Sequence, residues 1–320
     1  METTQTIQKD AAQSTGAAYS QDYSQDVIPH LPPWGTMTVF DVWLNNAALG
    51  LYIVTACALL LRRVTFGILA QPAFVLAWLL LVADLLMLVA DLGDPLRFHH
   101  MLRTFRPTSP MWVGVWALTL SSVTILIPAL WGSAGLATGF ELLSPACAAS
   151  VMAFLDSDVA VNVLVVFMAL GIVCAAAGLC YKGVLFSATS RPVWRKARWF
   201  SAYLTNGGIL LGCALFIGLG MALHVTNGLH RLFPAMLVML VIDILLLQLH
   251  LRPAMHDGSS TLQRRNLGTA TVLDVVAFAC LLAVTIGVGH HPALVALAVL
   301  GIAASAFMGR HSFVLPTRSV

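Results

Sequence analysis

Apolar runs of about 20 residues recur along the chain, the length an α-helix needs to cross a ~30 Å hydrocarbon core. A helix bonds its own backbone groups and can therefore sit in lipid, which an open strand cannot do. The alternating segments of about 10 residues that mark an outer-membrane barrel are absent. Only 10% of residues are charged, against about 25% in a soluble domain, too few to build a surface that faces water. The expected fold is an all-α polytopic membrane protein with eight transmembrane helices. The spans read as 42–61, 71–91, 110–131, 158–181, 199–222, 232–251, 268–289 and 292–309.

Between the spans, residues 133–157 form the longest connection, and 145–155 within it reads as a short interfacial helix. Residues 1–40 form an extramembrane lead-in, with no basic stretch before an apolar core, so no cleavable signal peptide is expected. Residues 311–320 form a C-terminal tail. Eight spans put both termini on one side. Arg62, Arg63 and Arg231 fall on the other side, so 14 of the 17 Lys and Arg lie on the side of the termini. The positive-inside rule makes that side the cytoplasm of a bacterial inner membrane. The six cysteines include no C-x-x-C pair, so neither an iron–sulfur cluster nor a cysteine zinc site is expected, and metal ligands are not assigned. A net charge of +3 gives no argument for nucleic acid.

The chain also reads as a repeat. Trp43-Leu44-Asn45-Asn46-Ala47-Ala48-Leu49 matches Tyr203-Leu204-Thr205-Asn206-Gly207-Gly208-Ile209 at an offset of 160. Asp84-Leu85-Leu86-Met87-Leu88 matches Asp243-Ile244-Leu245-Leu246-Leu247 at 159. Two four-helix bundles are expected, 41–182 and 183–310, forming a parallel internal repeat because each half holds an even number of spans.

The richest stretch runs from Ala90 to Met111. Leu92-Gly93-Asp94-Pro95 ends the second span, and Pro107-Thr108-Ser109-Pro110 starts the third with a cap residue and an early proline. Asp91-Leu92-Gly93-Asp94-Pro95-Leu96-Arg97-Phe98, followed by the Ser109-Pro110-Met111 helix start, resembles the NrfD family, membrane subunits of polysulfide-reductase-type complexes. Tyr181-Lys182-Gly183 followed by Arg191-Pro192-Val193-Trp194 resembles that family's second signature. The resemblance covers about residues 40–310. It implies eight spans in two bundles, a bound menaquinone or ubiquinone, and no haem. It also implies an iron–sulfur (ferredoxin-like) partner wired to a molybdenum or other catalytic subunit.

Helix direction alone gathers polar groups at one face: Asp41, Asn45 and Asn46 from the first span, Asp91 from the second, Arg97, His99, His100 and Arg103 from the loop, Tyr181 from the fourth and Asn206 from the fifth. A quinone needs an apolar slot, a donor to each carbonyl oxygen and a proton route, and these residue types supply them. An ordinary helix cap or interfacial polar residue explains any single one; the convergence carries the candidate quinone site. Aspartate inside a span costs roughly 2.5–3.5 kcal/mol on insertion scales. Asp84 and Asp243 near mid-span, and Asp274 nearer the cytoplasmic end of the seventh span, are therefore candidate proton-path residues or structural carboxyls. No intramembrane histidine pair remains for haem. The expected function is a quinone-binding subunit passing electrons between an iron–sulfur subunit and the quinone pool; a secondary transporter and a purely structural anchor are the alternatives.

Overall fold

The computed structural model describes residues 35–91, 99–103, 105–188, 192–255, 259–287 and 292–315. Most of the lead-in, Arg97, Arg191 and residues 316–320 lie outside the described residues. Among those described, eight helices are long and apolar enough to cross a membrane: α1 Thr36–Leu61, α2 Arg63–Ala90, α3 Pro110–Gly139, α4 Asp158–Ser187, α5 Phe200–Ala222, α6 Leu229–Ala254, α7 Thr261–Thr285 and α8 Pro292–Val314. The protein is an all-helical, multi-pass membrane protein.

Each expected span is present, and most are longer than their apolar runs. α2 starts at Arg63 rather than 71, so Arg62 alone joins it to α1. Buried Phe66, Leu69 and Ala70 carry the packed stripe back past Pro72, which sits inside the helix instead of starting it. α7 starts at Thr261 rather than 268 because Ser260 and Gln263 form a capping box. Ser260 Oγ accepts from the Gln263 N–H at 3.2 Å, and Gln263 Oε1 accepts from the Ser260 N–H at 2.8 Å. The expected interfacial helix is Pro145–Leu155, capped by Ser144.

α1 and α5 form the centre. α1 packs against α2, α4, α5 and α8, while α5 packs against α1, α4, α6 and α8. The contacts α2–α3 and α3–α4 in the first four helices are matched by α6–α7 and α7–α8 in the last four. Where α1 meets α5, Gly50 lies on the backbone of Gly208 and Gly212 lies on the backbone of Gly50, leaving no room for a side chain. Small residues allow such close approach where lipid supplies no hydrophobic drive for association. α1 is buried along most of its length, whereas α2 and α4 expose Leu79, Leu86, Leu170 and Val173, as lipid-facing helices do. α6 is composite: a 3₁₀ turn at Leu229–Leu232, an α-helix at Phe233–Leu245, a π segment at Leu246–Leu251 and a last turn at Arg252–Ala254.

Candidate functional site

Two residues read from sequence as loop cations, Lys182 and Arg310, are 3% and 0% exposed. α4 runs five residues past Lys182 to Ser187, and α8 runs on from Arg310 to Val314, so both side chains lie within helices. Removing them leaves 12 basic residues against three, and the charge bias between the two sides stands. A buried cation is tolerated only when paired and hydrogen-bonded. Each of these two organises a polar group in the helix core.

Lys182 uses its three donors in full. Nζ donates to Asp41 Oδ2 at 2.8 Å, to the Asp41 carbonyl at 3.2 Å and to Asp84 Oδ1 at 3.1 Å. Asn45 Nδ2 donates to Asp84 Oδ2 at 3.0 Å. Asp41, Asn45 and Asp84 are all buried. Asp41 Oδ1 and Asn45 Oδ1 have no partner and are the acceptors left over beside the ion pairs. The group thus joins α1, α2 and α4 at the end of the bundle that holds the α1 N-terminus.

Tyr181, one residue before Lys182, points another way around α4. Its ring lies on Gly114 of α3, and it lines a cavity of about 370 Å³ with Thr108, Pro110, Val113, Ala177, Cys180 and Val184. The cavity is largely apolar, has Tyr181 in its wall, and is within the ~300–1,000 Å³ range of small-molecule sites. At the other end of α3 and α4, a mostly apolar cleft of about 590 Å³ is walled by Trp131, Cys147, Ser150, Val151, Phe154 and Leu164. No charged side chain is among its lining residues, and Ser150 Oγ already donates to the Ala146 carbonyl at 3.0 Å.

The remaining expected site residues divide. Asp91 accepts from Thr38 Oγ1 at 3.3 Å and sits at the exposed rim. His99, His100 and Arg103 are exposed on the short helix His99–Arg103, with the two imidazole rings 4.4 Å apart. Arg97 lies outside the described residues. Asn46 and Asn206 belong to the second buried group. Arg310 Nε donates to Asn46 Oδ1 at 2.7 Å, and Asn206 Nδ2 donates to Asp243 Oδ1 at 2.9 Å. Asp274 sits near the middle of α7, not nearer its end, because the capping box lengthens the helix by two turns at its start.

The second signature has a structural role. Trp194 is 2% exposed, and its Nε1 donates to the Phe313 carbonyl at 2.9 Å, satisfying an orphan acceptor at the end of α8. Its ring packs edge-on against Phe186, which also meets Phe200. One tryptophan therefore ties the ends of α4 and α8 to the start of α5.

A family model described as polysulfide reductase, NrfD_2, matches residues 31–316. The chain belongs to the NrfD polysulfide reductase family. It is thus a membrane subunit of a redox complex. A search of curated proteins returned no match. Sequence reading reached Asp41, Asn45 and Asp84 but missed Lys182, the cation that binds them. The available signal was apolar sequence on both sides of it, Leu179 before and Val184-Leu185-Phe186 after.

Proposed function

We propose that this NrfD-family chain is the quinone-reactive membrane subunit of a respiratory oxidoreductase, passing electrons between an iron–sulfur subunit and menaquinone or ubiquinone. One observation carries the reading: an apolar cavity walled in part by Tyr181 lies beside a buried Asp41–Lys182–Asp84 group, with Tyr181 and Lys182 consecutive on one helix. A quinone supplies a couple of two electrons and two protons. The apolar wall of Val113, Ala177 and Val184 suits its ring, and Tyr181 can donate a hydrogen bond to a carbonyl oxygen. Asp41 and Asp84, held by Lys182, can store and pass the protons that accompany the electrons. His99, His100 and Arg103 at the rim, with Asp91, form the entrance on the partner-docking side. Asn45 fixes Asp84, and Asn46 and Asn206 extend the polar core into the second half.

In this reading the halves 41–182 and 183–310 are a parallel repeat, and Asp84, Asp243 and Asp274 are proton-holding positions. The charge bias supports a reading with both termini in the cytoplasm of a bacterial inner membrane and the iron–sulfur and catalytic subunits docked on that side. Quinone binding to the purified complex tests the assignment. Tyr181→Phe is expected to weaken binding of a quinone analogue about 5–10-fold, the loss of one hydrogen bond of roughly 1–1.5 kcal/mol. Unchanged affinity in Tyr181→Phe and in a cavity-filling Ala177→Leu would place the quinone elsewhere.

A further inference from the structure

The second buried group takes no part in the quinone pocket just assigned. Arg310 on α8 makes two hydrogen bonds, from Nε to Asn46 Oδ1 at 2.7 Å and from Nη1 to the Ala306 carbonyl at 2.6 Å. Its Nη2 has no partner. The ionisable groups that face it come from three helices: Tyr203 of α5, Asp243 of α6 and Asp274 of α7. They are 0%, 4% and 1% exposed. Asp243 Oδ1 already accepts from Asn206 at 2.9 Å. Asp274 Oδ2, the Tyr203 hydroxyl and Asn46 Nδ2 have no partner. Gly207 faces both charged groups, since a Cβ there would stand 3.3 Å from Asp243 Oδ1 and 3.4 Å from Arg310 Nη2.

Two physical facts bear on this arrangement. A buried polar atom without a partner costs about 1–3 kcal/mol, and buried water typically satisfies about three such atoms at once. Three donors and one acceptor left without partners in one buried group suit water. Charge gives the second fact. Arginine stays charged, so two carboxylates against one guanidinium leave one negative charge over, at a depth where an uncompensated charge is costly. The first half shows the same count, with Asp41 and Asp84 against Lys182.

We propose that Arg310, Asp243 and Asp274 form a second, hydrated proton site, holding one exchangeable proton on Asp274 and ordered water between the Arg310 guanidinium, the Tyr203 hydroxyl and the Asn46 amide. A hydronium ion gives its proton to Asp274 Oδ2 and becomes one of these waters; no electron moves. The use of this proton in turnover rests on the quinone reading, but its existence does not. The consecutive residues Asn45 and Asn46 join the two groups, one bonded to Asp84 and the other to Arg310.

Infrared spectroscopy of the whole complex in lipid nanodiscs, with ¹³C-labelled aspartate, tests this. A protonated carboxyl has its own C=O stretching band, which shifts downward in D₂O. The unmodified complex is expected to show two such aspartate bands, one for each half. Asp274→Asn is expected to remove one and leave the other, and Asp84→Asn is expected to spare the Asp274 band. The absence of any such band in the unmodified complex overturns the proposal without any variant, as does survival of every band in Asp274→Asn. A quinone analogue is expected to perturb only the band of the first half. If no analogue binds while the Asp274 band is present, the quinone reading fails and this site stands.

Discussion

The two buried ionic groups share a charge count and differ in how completely they are bonded. Around Lys182 all three ammonium donors find oxygen within 3.2 Å. Around Arg310 one guanidinium nitrogen, a tyrosine hydroxyl, an amide nitrogen and a carboxylate oxygen are left without partners. The compact ammonium closes its group like a rivet across α1, α2 and α4. The larger guanidinium, against Gly207, leaves donors for the ordered water proposed above. The same net charge can therefore serve as a rigid wall for a ligand cavity in one half and as a hydrated reservoir in the other.

The largest expected effect comes from deleting each cation. Lys182→Met strands two buried carboxylates and is expected to destabilise the protein by about 3–5 kcal/mol, read as a loss of thermal stability of the purified complex in detergent. Arg310→Met is expected to cost less, because in the hydrated site proposed above water takes over the bonds to its neighbours. Equal losses would break the contrast. Adding Asp84→Asn to Lys182→Met sharpens it: the pair is expected to be non-additive by about 1–3 kcal/mol, recovering stability that Lys182→Met alone loses. An additive result in a double-mutant cycle would show that the two side chains do not share their charge. A smaller effect is expected at the aromatic tie. Trp194→Phe keeps most of the packing but leaves the Phe313 carbonyl unpaired, at about 1–2 kcal/mol. The same thermal assay checks it, and quinone-analogue affinity is expected to remain unchanged.

The eight spans were legible because lipid leaves so little choice. The central helices α1 and α5 are the least apolar of the eight, but α3 is nearly the same, so apolarity alone does not single them out; Gly50, Gly208 and Gly212 mark their crossing. Asp41 and Asn45 could be placed at one end from helix direction alone, whereas Asp84 reads as near mid-span and joins them because its helix begins at Arg63 and ends at Ala90. Their cation could not, because Lys182 near a helix end reads as a loop charge, and only packing shows that α4 continues beyond it. Arg310 was hidden in the same way. The capping box at Ser260 and Gln263 was readable and would have moved Asp274 to mid-helix before any coordinates. His99 and His100, prominent in sequence, lie at the exposed rim, and Arg97 lies outside the described residues.

The most direct test is a density map of the intact complex with a quinone analogue bound. The account predicts the ring between α3 and α4, with one carbonyl oxygen within hydrogen-bond distance of the Tyr181 hydroxyl and the ring beside the Asp41–Lys182–Asp84 group. A ring seated instead in the cleft of Trp131 and Phe154, at the opposite end of the same two helices, would contradict it.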